Sequence, residues 1–232
     1  MEKVVDLFES HMLLKHSVPR WYDFNDEAIS RLWCLYETGA AFPLKERDKE
    51  GRRIILVQTG KLDPKEYTAA DAIHLLNWIS KTILEEEETQ IAGIITIIDQ
   101  TNISFGHIRL ISMSDLFDFA NVVKNSTVGR QKGIYLVNTP SFASFIFEVA
   151  KKAANDKLRE RIHLVENMED MKMHIDASLL PLELGGTVSE SEMMKSFKET
   201  AEEKERDLRS IQAGVDWDRV ALDGENSNCS MM

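Results

Sequence analysis

Apolar positions along the chain change period several times, and each change marks an element. Residues 2–15, with Val4, Val5, Leu7, Phe8 and Leu14, carry helical spacing, and so do residues 25–37. Pro19 separates the two, and Asn25 or Asp26 can cap the second. Residues 39–51 read as a loop. Arg53–Thr59 is rich in β-branched residues and predicts a strand, which Leu62-Asp63-Pro64 breaks. Thr68 opens a long helix with Ile73, Leu76, Ile79 and Ile83 on one face, and Glu85–Glu88 ends it in solvent. Ile91–Asp99 is almost continuously apolar, the pattern of a strand buried on both faces of a parallel sheet. After a short turn, a helix is predicted over residues 112–124 and a buried strand over Gly133–Asn138, stopped by Pro140. Ser141 opens the next helix, Arg161–Val165 forms a short strand, and residues 168–180 are helical or irregular. Residues 182–186 turn, 190–212 form a charged helix, and the stretch after Gly214 is polar and acidic. Strands alternating with helices predict an α/β fold on a mostly parallel sheet.

Composition narrows the class. The 232 residues, 43% of them hydrophobic, suit one large domain with appendages. No apolar run approaches the roughly 18–20 residues needed to span a bilayer. The polar, acidic first ten residues do not form a secretory signal. The helical pattern starts there without a cap, so an upstream part of a helical domain is expected to be missing, or the chain to be a short isoform. Cys34 and Cys229 lie in unrelated contexts, which favours a reducing compartment over a disulfide framework. The net charge of −11 argues against broad nucleic-acid binding. That charge is uneven. Val128–His163 holds seven Lys and Arg against three acidic residues, whereas Glu190–Met232 holds six against eleven.

The familiar catalytic motifs are absent, among them G-x-S-x-G, the phosphate-binding G-x-x-x-x-G-K-[ST], G-x-G-x-x-G and H-E-x-x-H. His107 and Asp99 make the best acid–base pair for a hydrolase or isomerase. A turn or surface histidine and a turn-capping aspartate account for them more simply. The sequence therefore nominates no catalytic residue, metal site or cofactor. After Pro140, Phe142, Phe145, Ile146 and Val149 recur at helical spacing. This is either a stripe buried in the core or the inner face of a movable lid over a lipid cavity. Lys157 and Arg161 are four apart on a helical stretch and share a face. Arg130 and Lys132 are two apart at the start of a strand and point the same way. If the pairs converge, they form a pocket for a phosphorylated headgroup. Otherwise they are a solvated basic face.

Several of these segments, taken in order, resemble the CRAL-TRIO lipid-transfer family. The similarity is to its animal branch, which holds alpha-tocopherol transfer protein, cellular retinaldehyde-binding protein and the clavesins. Asp48-Lys49-Glu50-Gly51-Arg52-Arg53-Ile54 resembles the family's D-x-x-G-R-x-V at the first sheet strand. Ile97-Ile98-Asp99 resembles its strand ending in aspartate, and Gly133–Pro140 (GIYLVNTP) its strand-and-proline signature. Lys157–His163 resembles K-x-x-x-R-I, and Leu180–Gly186 resembles the closing L-P-x-E-x-G-G. Together they cover about residues 40–190. Two departures stand out. The usual D-x-x-G after the aspartate reads Asp99-Gln100-Thr101-Asn102, where asparagine tolerates φ > 0. The usual K-P-F-L reads Lys151-Lys152-Ala153-Ala154, which removes the proline hinge and two bulky residues.

The resemblance implies an α/β fold with a mostly parallel sheet floor, helices forming a hydrophobic lipid cavity, and a helical gate over about Ser141–Ala150. It implies a domain plan of 1–38 as the remnant of a helical N-terminal domain and 39–190 as the lipid-binding domain. A charged helix, 191–213, and a flexible acidic tail, 214–232, follow. The expected function is binding of a single hydrophobic lipid and its transfer to or from phosphoinositide-containing membranes. The alternative is a membrane-recruited phosphoinositide-binding adaptor without transfer. The ligand would be a tocopherol, retinoid, carotenoid or phospholipid. Pocket and gate would use Phe142, Phe145, Ile146, Val149, Ile95, Ile97 and Leu136. The headgroup residues would be Arg130, Lys132, Lys157 and Arg161. The protein is expected to be a monomer, not to be an enzyme, and to be cytoplasmic and transiently at endosomal or other phosphoinositide-rich membranes. Cys229-Ser230-Met231-Met232 fits a C-a-a-X prenylation signal with a non-aliphatic Ser230 and an acidic flank.

Overall fold

The computed structural model describes Trp21 and residues 25–112, 130–154 and 156–213. The predicted helices at 2–15 and 112–124, the tail from Gly214 and Cys229 therefore lie wholly or almost wholly outside the described residues. The chain divides into two compact units, Met1–Phe197 and Lys198–Met232.

Local chemistry sets the helix starts. Helix α1, Asp26–Glu37, is capped by Asn25, whose side chain accepts from the Ala28 N–H at 2.9 Å. The long helix α2, Ala69–Leu84, opens with a capping box between Thr68 and Asp71. Its buried face is His74, Leu75, Trp78, Ile79, Thr82 and Ile83. Ile73 and Leu76, expected on that face, are only half-buried at its margin. The bulkiest buried group decides the rotation: Trp78 packs edge-on against Trp33 at 5.0 Å, Tyr36 at 5.9 Å and Phe197 at 5.6 Å.

The sheet has five strands in the order β1-β2-β3-β4-β5: Ala41–Pro43, Arg53–Gln58, Ile94–Asp99, Gln131–Val137 and Ile162–Val165. The first pair is antiparallel and the other three are parallel. Strand β1 falls in the predicted loop over 39–51, and β3 starts three residues later than expected. Residues Glu87–Ala92 form a short helix, α3, which leaves Ile91 72% exposed. Gly93, at φ +94°, switches the chain from helix to strand. A Cβ there would sit 2.3 Å from the Arg130 carbonyl oxygen, so only glycine lets β4 begin this close.

The two faces of the sheet differ. Register places Phe42, Ile54, Leu56, Ile95, Ile97 and Val137 on one face, and all six are at most 1% exposed. Ile55, Val57, Thr96, Ile98, Ile134, Leu136 and Ile162 lie on the other. There, helix α5 (Ser144–Ala153) and the single turn α6 (Asp156–Arg159) cover the β4–β5 half. Helix α4, Phe105–Leu110, precedes them in the chain, between β3 and β4. Phe147, Ala154 and Leu158 pack on Leu136 and Ile162, with Ile134 beside them. Val57, Thr96 and Ile98 remain half-buried on the same face.

Candidate functional site

The half-open face is the floor of the candidate site. Ile95 and Ile97, expected among its lining residues, are on the sealed face instead, because side chains alternate along a strand and the register pairs Ile98 with Leu136. The floor residues on β3 are Thr96 and Ile98. Of the predicted lining set on the strands, Leu136 alone faces the helix above.

The helix after Pro140 also has a different phase from the one predicted. It opens as a 3-10 turn, Ser141–Ala143, before α5 begins. A 3-10 turn advances about 120° per residue rather than about 100°, so the stripe is displaced. Ala143 and Phe147 face the core, at 1% and 7% exposure. Phe142, Ile146 and Val149 are half-buried and Phe145 is 49% exposed. Phe142 stacks on Phe105 at 4.6 Å, and Phe105 is itself 65% exposed. The predicted lid residues thus form an apolar face turned away from the core cluster, with Phe105 as a member that sequence spacing missed. Its signal was a lone aromatic just after Ser104, which caps α4 with His107.

Three of the four candidate cations stand about the N-terminal end of β4. The Arg130 guanidinium donates to the Ile91 carbonyl at 3.3 Å, and the stems of Arg130 and Lys132 both lie over Gly93. The Arg161 guanidinium donates to the Gln131 carbonyl, which aims it at the same strand end. One carbonyl orients that fork and takes up one of its five N–H donors. Lys157 is exposed on α6, four residues ahead. Lys157 and Arg161 do not share a helix as expected. Helix α6 ends at Arg159, and the Arg161 N–H bonds back to the Leu158 carbonyl at 2.9 Å. Among the described residues, none of the four cations pairs with a carboxylate within 4.0 Å, whereas Arg159 pairs with Asp156 at 3.0 Å.

Asp99 and His107 are held in turns. One Asp99 oxygen accepts from the Thr101 N–H at 3.0 Å, the Thr101 hydroxyl at 2.6 Å and the Asn138 amide at 2.9 Å. Asn102 and Asn138 supply the left-handed residues, at φ 62° and 56°, so asparagine does replace the family glycine in this turn. His107 Nε2 lies 2.9 Å from the Leu62 carbonyl, which can only accept, so Nε2 carries the proton. Nδ1 then accepts from the Ser104 N–H at 3.0 Å. Both ring nitrogens are occupied, which leaves no site for a substrate proton. Among the described residues, no group of three or more His, Cys, Asp or Glu side chains could hold a metal ion. No helix of the described residues is long and apolar enough to cross a membrane. A cleft of about 650 Å³ lined by Lys45, Arg47, Arg53 and Glu86–Glu88 is polar and is crossed by ion pairs.

The chain matches the CRAL/TRIO domain family over residues 37–186. It is 30% identical to Clavesin-1 of Xenopus laevis over 151 residues, which are 65% of this chain and 46% of that protein. It is 27% identical to Clavesin-2 of Homo sapiens over the same length, again 46% of the relative. The matched region therefore spans less than half of these proteins. The crystal structure of Sfh5 aligns over 83% of this chain and 67% of that one, with a TM-score of 0.53 and 10% identity, which is a likeness of fold.

Proposed function

The chain belongs to the CRAL/TRIO domain family, and from that premise we propose that it encloses one hydrophobic lipid between the sheet and helix α5. We further propose that it engages phosphoinositide-rich membranes, endosomal ones among them, through Arg130, Lys132, Lys157 and Arg161. Family membership supports lipid binding or transfer in general. The observation that carries the reading is the unequal sheet: one face is sealed, while the other is apolar, half-open and roofed by a helix with Phe145 exposed. Burying such a surface against a lipid stabilises by roughly 25 cal/mol per Å². The basic residues stand at the strand end toward which α5 runs. Membrane contact would favour an open α5 only by its greater affinity for that state.

The test has two arms. Purified protein is extracted for lipid and weighed by native mass spectrometry, with one bound lipid per chain expected. Lipid transfer to phosphoinositide vesicles is then followed for Lys157→Ala with Arg161→Ala, which should slow release several-fold and leave loading intact. Unchanged transfer kinetics would remove the membrane role of these residues.

A second reading, an adaptor that binds membranes without transferring lipid, is favoured by the α5–α6 junction. Ala154 is 4% exposed and packed in the core cluster. Arg159 staples the joint, donating to the carbonyls of Lys151 at 3.1 Å and Ala154 at 3.0 Å. This is where the family's proline hinge is replaced. A protein that purifies empty yet binds phosphoinositide vesicles would decide for the adaptor.

A further inference from the structure

Gln100 follows directly on β3, and its N–H continues the ladder by donating to the Val137 carbonyl at 2.9 Å. Alternation places its side chain with Ile98 on the half-open face. It is 9% exposed, yet its amide oxygen is shielded and has no hydrogen-bond partner. Thr139 stands beyond the end of the neighbouring strand, just ahead of Pro140 and the 3-10 turn that leads into α5. Its hydroxyl is likewise buried and unpartnered. Two orphaned polar atoms thus belong to residues just past the C-terminal ends of adjacent strands, and the first of them lies on the otherwise apolar floor. Buried polar groups are rarely left unpaired, because each forfeits its hydrogen bonds to water.

We propose that Gln100 and Thr139 form the polar end of the lipid site and select a ligand bearing a hydroxyl group. This rests on the lipid-cavity reading above. An amide oxygen only accepts, so its partner must donate. A threonine hydroxyl both donates and accepts, so the two groups together suit an alcohol. An ether or ester offers no proton to Gln100. A carboxylate sets a negative charge against the amide oxygen and likewise offers it no proton. The ligand is therefore a neutral lipid alcohol, oriented with its hydroxyl under the start of α5 and its hydrocarbon over Val57 and Ile98, which are half-buried on that face.

Retinol, α-tocopherol and oleyl alcohol are titrated into delipidated protein, each beside its O-methyl ether, with oleic acid as the anionic probe. At least one alcohol is expected to bind about tenfold or more tightly than its ether, since an unmatched buried polar group costs on the order of that factor. Gln100→Met and Thr139→Val should bring the ratio near one. Gln100→Met should also raise the melting temperature of the empty protein, because it removes an unpaired buried amide. A structural role for Gln100 would lower it. If alcohol and ether bind equally to the unaltered protein, the two atoms hold only water and this proposal is overturned while the lipid-cavity reading stands. If no probe binds at all, both fall together.

Discussion

Glu86 stands in a run of four glutamates, yet it is the one on which two arginines converge. Its carboxylate accepts from Arg47 at 2.6 Å, from Arg53 at 2.7 and 2.9 Å, and from the Thr89 hydroxyl at 2.7 Å. Burial pushes its pKa up, but the bonds from Arg53 and Thr89 and the charges of Arg53 and Arg47 win and hold it below 4.5. Glu86→Gln leaves Arg53, 16% exposed, without its counter-charge. The expected cost is about 2 kcal/mol in a urea midpoint, below the figure for a fully buried pair because water reaches this one. The contribution is complete above the ordinary carboxylate range and is lost as the pH falls through it, so the variant should lose less stability than the wild type between neutral pH and about pH 3. His163 has its own window. Burial, then His174 and Lys151, depress its pKa below 6.5. As the pH falls through that value the unfolded chain takes up the proton first, and the folded state loses ground. His163→Phe keeps a ring against Tyr135, stacked at 4.9 Å in the native protein. Melting temperatures between about pH 7.5 and 5.5 should fall less for this variant, and equal slopes would assign the titration elsewhere. Neither role was legible in the sequence, because both depend on partners far along the chain. Glu86 and Arg47 are 39 residues apart, and nothing in four consecutive glutamates says which one turns inward.

Helix α5 divides its aromatic side chains between two environments. Phe147 is 7% exposed within the core cluster, while Phe145, two residues earlier, is 49% exposed. Phe147→Ala should cost about 3–4 kcal/mol through lost burial and a cavity. Phe145→Ser should stay within about 0.5 kcal/mol by the same denaturation measurement, yet weaken uptake of lipid. Equal destabilisation by the two would mean that α5 packs with the phase its sequence suggests. That phase was the part out of reach: the spacing of Phe142, Phe145, Ile146 and Val149 is helical, but the 3-10 turn ahead of α5 rotates the stripe. Strand β3 failed differently. Ile94 to Ile98 are all apolar except Thr96, so alternation could not tell the sealed face from the open one until the pairing of Ile98 with Leu136 was known. Caps and turns depend only on near neighbours, which is why Asn25, Thr68 and the left-handed Asn102 followed from the sequence.

At the scale of the whole molecule, a chain of net charge −11 places at one end of its sheet cations that, among the described residues, pair with no carboxylate within 4.0 Å. The parallel sheet and the helix after Pro140 were legible in the sequence because their motifs occur in family order, and the order of those motifs survives the replacement at Lys152-Ala153-Ala154. The four basic residues were legible as spacing only. Where Arg161 points depended on its reach to the Gln131 carbonyl, a contact across 30 residues. The opposed charges make a distinct demand of a membrane. Over about 8 Å, the screening distance at physiological salt, a uniformly anionic surface repels most of the protein while attracting one end. A single multivalent headgroup concentrates charge where the cations stand and adds bidentate acceptors for the two arginines. Vesicles carrying a phosphatidylinositol bisphosphate should therefore bind about tenfold or more tightly than vesicles of phosphatidylserine matched in total charge, with both affinities falling as salt is added. Co-sedimentation at two salt concentrations makes the measurement. Equal binding would reduce Arg130, Lys132, Lys157 and Arg161 to a solvated basic face. A preference that survives high salt better than the serine lipid does would mark close, partly desolvated contacts, which only converged cations can make.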